Sequence, residues 1–215
     1  MVTMPYDKNF RLLAARVFLI IFYAVGVAGF AWTVTHDLFQ RLVPLDLLVS
    51  SALVFAFHRS WSVKHILVFA GIALAGFLLE MTGIHTGLIF GSYTYGNALG
   101  LKVLCTPLLI GLNWLVLVYA VYVLFPEINR KWYYPLLGAA LLVVYDFVME
   151  PVAIATDMWS WEGVSVPLKN YLTWFWVSAA MLYTLQFAGI SYKNRLAAWL
   201  LVIQFLFFVI LGFIL

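Results

Sequence analysis

Charge is scarce in this chain. Only 10% of its 215 residues are charged, against about 25% in ordinary soluble domains. Twelve Lys and Arg with nine Asp and Glu cannot cover the surface of a soluble globule of this length. That scarcity excludes a water-soluble domain, a disordered tail and a nucleic-acid-binding module. Cysteine is nearly absent: Cys105 stands alone, which excludes an internal disulfide, and no CxxC or CxxCH pattern supports redox chemistry or haem attachment. The four histidines, His36, His58, His65 and His85, show no HxxxH or HExxH spacing. Internal repeats, low-complexity runs and linkers are missing too. What is present is apolar: 66% of residues are hydrophobic and 18% aromatic. A membrane span needs about 20 such residues, so the length holds at most about seven or eight spans and no separate soluble domain.

The expected fold is therefore all-α, a single polytopic membrane helix bundle over 1–215. Seven apolar stretches can be read, near 16–35, 42–57, 65–81, 103–125, 132–150, 171–190 and 196–215. The first follows basic residues as a signal peptide would, but it runs on without an A-x-A cleavage site and reads as a retained span. The cations sort by side. Lys8, Arg11, Arg16, Arg59, Lys64, Arg130, Lys131, Lys193 and Arg195 fall on one face, and only Arg41, Lys102 and Lys169 on the other. The positive-inside rule then places the N-terminus in the cytoplasm and the C-terminus outside, in a multi-pass protein of the cell membrane.

The acids show the opposite bias. Asp7 and Glu127 lie on the cytoplasmic side, whereas Asp37, Asp46, Glu80, Asp146, Glu150, Asp157 and Glu162 lie toward the outer half. Asp146 and Glu150, four residues apart in YDFVMEP, share one helix face. Carboxylates at membrane depth are costly and usually face a bundle interior or a watery cavity. Pro151 and Gly83 are expected to end their helices just past Glu150 and Glu80. The three acids would then sit at negative helix ends. Low dielectric, a negative dipole and like-charged neighbours favour a proton on a carboxyl group. A general acid is the chemistry this pattern suits. A metal-diphosphate site would need a second acidic cluster and basic residues, and neither is there. The expectation is no metal and no cofactor.

Two loops complete the candidate site. Residues 83–102, with five glycines, read as a re-entrant or lid loop carrying His85, Tyr93, Tyr95 and Asn97. Non-helical backbone at membrane depth survives only when buried in protein or lining a cavity. Residues 151–170 read as an outer loop with Trp159, Trp161 and Asn170. Trp159, Trp161 and Trp174 also suit an interfacial belt, while Trp114 and Tyr119 lie too far inside the fourth span for one. His58 and His65 read as structural residues at cytoplasmic helix ends. Acids beside aromatic faces in an apolar pocket suit protonation of an alkene, the cation being held by π faces. The substrate would be an apolar polyene or isoprenoid from the bilayer. Buried acids also suit a proton-coupled transporter, but the two repeated halves expected of one are missing. A non-catalytic scaffold has no use for carboxylates gathered at one face.

Two segments carry a resemblance. ExxGIHTGLIFGSYTYGNALGLKVLCTPLLIGLNW, from Glu80 to Trp114, and YDFVMEPVA…WSW…P..NYLTWF, ending at Phe175, resemble the integral membrane family of carotenoid biosynthesis. That family includes the carotenoid 1′,2′-hydratases acting on γ-carotene and bisanhydrobacterioruberin. The resemblance implies cofactor-independent addition of water across the terminal C1′–C2′ double bond of an acyclic carotenoid end, giving a tertiary alcohol. By position it makes Glu80, Asp146 and Glu150 the acid/base candidates. Tyr93, Tyr95, Trp114, Trp159 and Trp161 become pocket residues, with Asn97 and Asn170 as polar partners; His85, the one histidine close to the acids, joins the candidate substrate contacts on that nearness. The partners implied are a carotenoid or other polyisoprenoid lipid and the bilayer. The architecture is also similar to seven-span lycopene cyclases, which share the protonation step, so a carotenoid or terpene cyclase is the alternative reading.

The layout has a direct check. A reporter fused at Leu215 is expected to report a non-cytoplasmic end; a cytoplasmic signal contradicts the seven-span order.

Overall fold

The structure, a computed structural model, describes residues 5–163, 165–191 and 193–215, with side-chain surroundings from residue 9 onward. The side chains of Asp7 and Lys8, and Val164 in the expected outer loop, lie outside the described residues. Seven helices follow in order: α1 (Pro5–Ala31), α2 (His36–Ala56), α3 (Val63–Thr86), α4 (Leu109–Tyr122), α5 (Tyr134–Ala155), α6 (Leu168–Phe187) and α7 (Arg195–Ile214). Four short strands accompany them: β1 (Tyr93–Tyr95), β2 (Lys102–Val103), β3 (Thr106–Pro107) and β4 (Trp159–Trp161). The chain is an all-α membrane bundle. Among the described residues, five helices are long and apolar enough to cross a bilayer: α1 (over Asn9–Ala31), α2, α3, α5 and α7.

α4 explains how the bundle is centred. It has 14 residues, about 21 Å of helix against a hydrocarbon core of about 30 Å. Asn113 apart, it is apolar all round, and every residue from Trp114 to Tyr122 is buried, the pattern of an enclosed helix rather than an amphipathic one. It packs against α2, α3, α5, α6 and α7. The peripheral helices turn Leu13, Ile21, Leu67, Leu74 and Phe213 outward, as lipid requires. Close approach of α3 to α4 depends on two glycines. A Cβ at Gly111 would strike the Ala73 carbonyl, and one at Gly76 would lie 2.8 Å from Trp114 Cβ. Helix ends follow ordinary capping chemistry. Ser62 caps α3 by accepting from His65 N, Gly87 closes the same helix with φ +64°, and Asn194 caps α7.

Several boundaries differ from those read off the sequence. α2 starts at His36, so Asp46 stands at its middle rather than near its start, and Pro44 lies inside the helix. His36, Asp37, Gln40 and Arg41 made that first part look like a loop, although an acid such as Asp37 favours a helix N-terminus. The expected fourth span loses residues 103–107 to the β2–β3 hairpin. α5 does not end at Glu150: it continues through Pro151 to Ala155. Proline removes one N–H donor, but ending the helix in an apolar surround would orphan several backbone groups, so continuation wins. Gly83 does not end α3 either; its missing side chain makes room for Phe90, 2.8 Å from where a Cβ would stand. Glu80 and Asp146 therefore sit well inside their helices, and Glu150 more than a turn from its end. The dipole acts mainly within the last turn, so it does not set their surroundings.

Gly111→Val is expected to destabilise the protein by about 1–3 kcal/mol, as overpacking does, read as a lower thermal midpoint in detergent. Gly71→Val, where nothing lies within 4 Å of the added Cβ, is expected to leave the midpoint unchanged or higher. Equal losses would contradict the close α3–α4 contact.

Candidate functional site

The two loops flanking α4 and α5 meet as a two-stranded antiparallel ribbon, β1 on β4. Its register pairs Tyr93 with Trp161, Thr94 with Ser160 and Tyr95 with Trp159. Side chains alternate along a strand, so Thr94 and Ser160 point out and bond each other at 3.1 Å. The four large aromatics point in. Further bonds hold the ribbon's base: Asn97 N donates to Asp157 Oδ2 at 2.8 Å, Gly96 N to the Met158 carbonyl, and Lys102 Nζ to the Tyr95 carbonyl at 2.7 Å. Gly96 is needed there because any Cβ would strike Asp157.

Every inward aromatic donates to a buried carboxylate. Tyr93 Oη and Tyr95 Oη both reach Glu80 Oε2, the second at 2.7 Å, and Trp114 Nε1 reaches Glu80 Oε1 at 2.9 Å. Trp159 Nε1 and Trp161 Nε1 each lie 3.0 Å from Glu150 Oε2. Asn170 Nδ2, from the first turn of α6, donates to Asp146 Oδ2 at 2.7 Å and reaches Glu150 Oε1 at 3.5 Å. Burial first, and the Glu80 carboxylate second, hold the Tyr93 and Tyr95 phenols far above their ordinary range, so both stay donors. The three acids are at most 5% exposed. One oxygen among them, Asp146 Oδ1, is buried without a hydrogen-bond partner.

Two cavities adjoin these groups. One of about 30 Å³ is lined by all three acids and by Tyr93, Tyr95, Trp159, Trp161, Asn170 and Trp174; it has room for a water or two. The other, of about 250 Å³, is walled largely by apolar side chains, most of them from α1, α2, α5 and α7, with Ile110 from α4. Ile110, Asn113, Met149 and Trp159 line both. Val25, Leu42 and Leu45, on the outer surface of α1 and α2, also line the larger one, so it opens toward lipid. Among the described residues, no three His, Cys, Asp or Glu side chains meet closely enough to hold a metal ion.

Glu80, Asp146, Glu150, Tyr93, Tyr95, Trp114, Trp159, Trp161 and Asn170 thus come together as the sequence suggested. His85 and Asn97 do not: both are exposed and line neither cavity. His85 follows Glu80 by five residues and so falls on another helix face, while Asn97 serves through its backbone. Tyr119 lies elsewhere, 2.6 Å from His58 Nδ1; His58 in turn faces His65 and is pushed down to about 4 by burial and then by that neighbour. Trp174, read as a belt residue, stacks on Trp114 at 4.1 Å between ring centroids. Phe90, Ile110, Asn113 and Met149 were missed. Asn113, one residue before Trp114 and polar within an apolar run, was the legible signal.

A family profile described as a carotenoid biosynthesis protein matches residues 42–215. No curated protein and no solved structure matches the chain.

Tyr95→Phe removes a donor from a buried carboxyl group and is expected to cost about 1–3 kcal/mol of stability, seen as a lower thermal midpoint. Thr94→Ala, on the outward face of the same strand, is expected to stay within about 0.5 kcal/mol of wild type. A Tyr95→Phe midpoint equal to that of Thr94→Ala would contradict the clamp.

Proposed function

The chain belongs to the carotenoid biosynthesis protein family, and from that premise and the geometry of the acid pocket we propose that it hydrates the terminal C1′–C2′ double bond of an acyclic carotenoid end. The observation that carries this reading is the junction of the two cavities. An apolar chamber open to lipid shares four wall residues with a pocket lined by three carboxyl groups. A polyene end entering from the bilayer would lie with its alkene beside Trp159 and the acids.

Asp146 is the proton donor in this scheme. Glu80 and Glu150 have their oxygens already engaged by aromatic and amide N–H and O–H groups. Asp146 Oδ1 has no such donor and suits a proton. The Asp146 O–H bond breaks as the C2′–H bond forms, leaving a tertiary cation at C1′. The rings of Trp159, Trp161 and Trp174, all in the pocket wall, stabilise that charge through their quadrupoles. Water then bonds to C1′ and passes a proton to a carboxylate, giving the tertiary alcohol. His85 and Asn97 have no part in this scheme. The ribbon acts as the lid, and the pocket lies in the outer half of the cell membrane when the N-terminus is cytoplasmic.

Expression in bacteria that accumulate lycopene or γ-carotene is expected to give products heavier by one water. An isomer of unchanged mass would move the assignment to the cyclase, and no conversion of either polyene would contradict both. Asp146→Asn is expected to lower conversion by about a hundredfold or more, the usual worth of a general acid, and Glu80→Gln and Glu150→Gln are also expected to abolish it, with the protein still inserted. Full activity in all three would contradict the acid pocket.

A further inference from the structure

The large chamber is mostly apolar, and a cluster of polar side chains adjoins one part of its wall. Tyr23 from α1, Asp46 and Ser50 from α2, and Gln204 from α7 converge there. Tyr23 Oη donates to Asp46 Oδ2 at 3.2 Å, lies 3.0 Å from Ser50 Oγ, and accepts from Gln204 Nε2 at 2.9 Å. Asp46 and Ser50 are four apart and share a helix face. Asp46 and Gln204 each stand at the middle of their helix, the depth at which a carboxylate is most costly. Polar contacts of this kind commonly hold membrane helices together, and such a role accounts for the bonds made by Tyr23. It leaves one atom unexplained: Gln204 Oε1 is buried and has no donor, on a residue only 4% exposed.

That atom needs an O–H group, and the cavity it belongs to has room for one. Tyr23, Asp46 and Gln204 all line the 250 Å³ chamber, together with Asn113 and Trp159 from its boundary with the acid pocket. Tyr145, next to Asp146 in the chain, lines the same chamber as Asp46. An ordered water in a protein interior makes about two to four hydrogen bonds to otherwise unsatisfied polar groups. Gln204 Oε1 and the Asp46 carboxylate supply two acceptors, which would take both water protons and turn the oxygen lone pairs toward the chamber.

We propose that Gln204 and Asp46, braced by Tyr23 and Ser50, hold the water that captures the carbocation, on the side of the chamber away from the proton donor. This rests on the hydratase reading and deepens it. Protonation belongs to the acid pocket, and water capture belongs to the α1–α2–α7 cluster. The step balances: the water oxygen bonds to C1′, one water proton passes to the Asp46 carboxylate, and that proton returns to Asp146 through solvent before the next turnover. Removing the water site leaves the cation to lose a proton from a neighbouring carbon. The alkene is then regenerated, or its double bond moves.

The two steps separate in heavy water. Membranes carrying wild type, Gln204→Leu or Asp46→Asn are incubated with lycopene in D₂O, and both the alcohol and the recovered hydrocarbon are analysed by mass. Asp46→Asn keeps the shape and the oxygen acceptor for Tyr23, so a folded variant is available if Gln204→Leu inserts poorly. Both variants are expected to form at least tenfold less alcohol while washing deuterium into unhydrated lycopene at least as fast as wild type. Parallel loss of alcohol and deuterium would overturn the proposal and assign the cluster to helix packing. Undiminished alcohol would overturn it and place the water elsewhere. A wild-type protein that hydrates neither lycopene nor γ-carotene would instead overturn the hydratase reading itself, and the water site with it.

Discussion

Burial of three carboxyl groups in an apolar bundle is the constraint on which the rest of this structure depends. A carboxylate away from water is tolerable only if donors replace its hydration shell. Here the donors are mostly aromatic: two phenols and an indole on Glu80, two more indoles on Glu150. Aromatic donors bring a polar tip on a large apolar body, so they satisfy the acid and seal it from lipid at once. The β1–β4 ribbon exists in this all-helical protein because alternate residues of Tyr93–Tyr95 and Trp159–Trp161 must all face inward. Two extended strands present four side chains to one face more compactly than helical loops would.

The same demand shapes the helices. α4 is short and enclosed, and it delivers Trp114 to Glu80 while its neighbour Asn113 reaches both cavities. Gly111 and Gly76 bring α3 against α4 so closely that Glu80 falls within reach of that indole. α5 carries Asp146 and Glu150 one turn apart, and α6 begins where Asn170 can bridge them. The acceptors left over are as informative as the donors used: Asp146 Oδ1, beside the acid pocket, and Gln204 Oε1, on a residue of the larger chamber, are both buried without a hydrogen-bond partner.

Much of this was legible in the sequence. Scarce charge and long apolar runs imply a helix bundle in a membrane, and acids standing alone in such runs mark a site whatever their exact depth. The YTY and WSW segments were visible as aromatic loops, but their pairing was not, because it joins Tyr93 to Trp161 and Tyr95 to Trp159 across the whole of α4 and α5 and no local pattern encodes it. Pro151 misled for a physical reason: proline rules drawn from water underweight the cost of ending a helix in an apolar surround. His85 is near the acids in sequence, but five residues past Glu80 it falls on another helix face. The α1–α2–α7 cluster was hidden since Tyr23 and Gln204 look unremarkable one at a time, and only α2's early start puts Asp46 level with them.

The proposed reaction divides the labour between a closed acid pocket and an open apolar chamber. The measurement that reaches this most directly is the position of deuterium in the alcohol formed from lycopene in D₂O. Protonation of the alkene by the pocket predicts one carbon-bound deuteron, at C2′, in each newly hydrated end. An alcohol without carbon-bound deuterium would contradict the account.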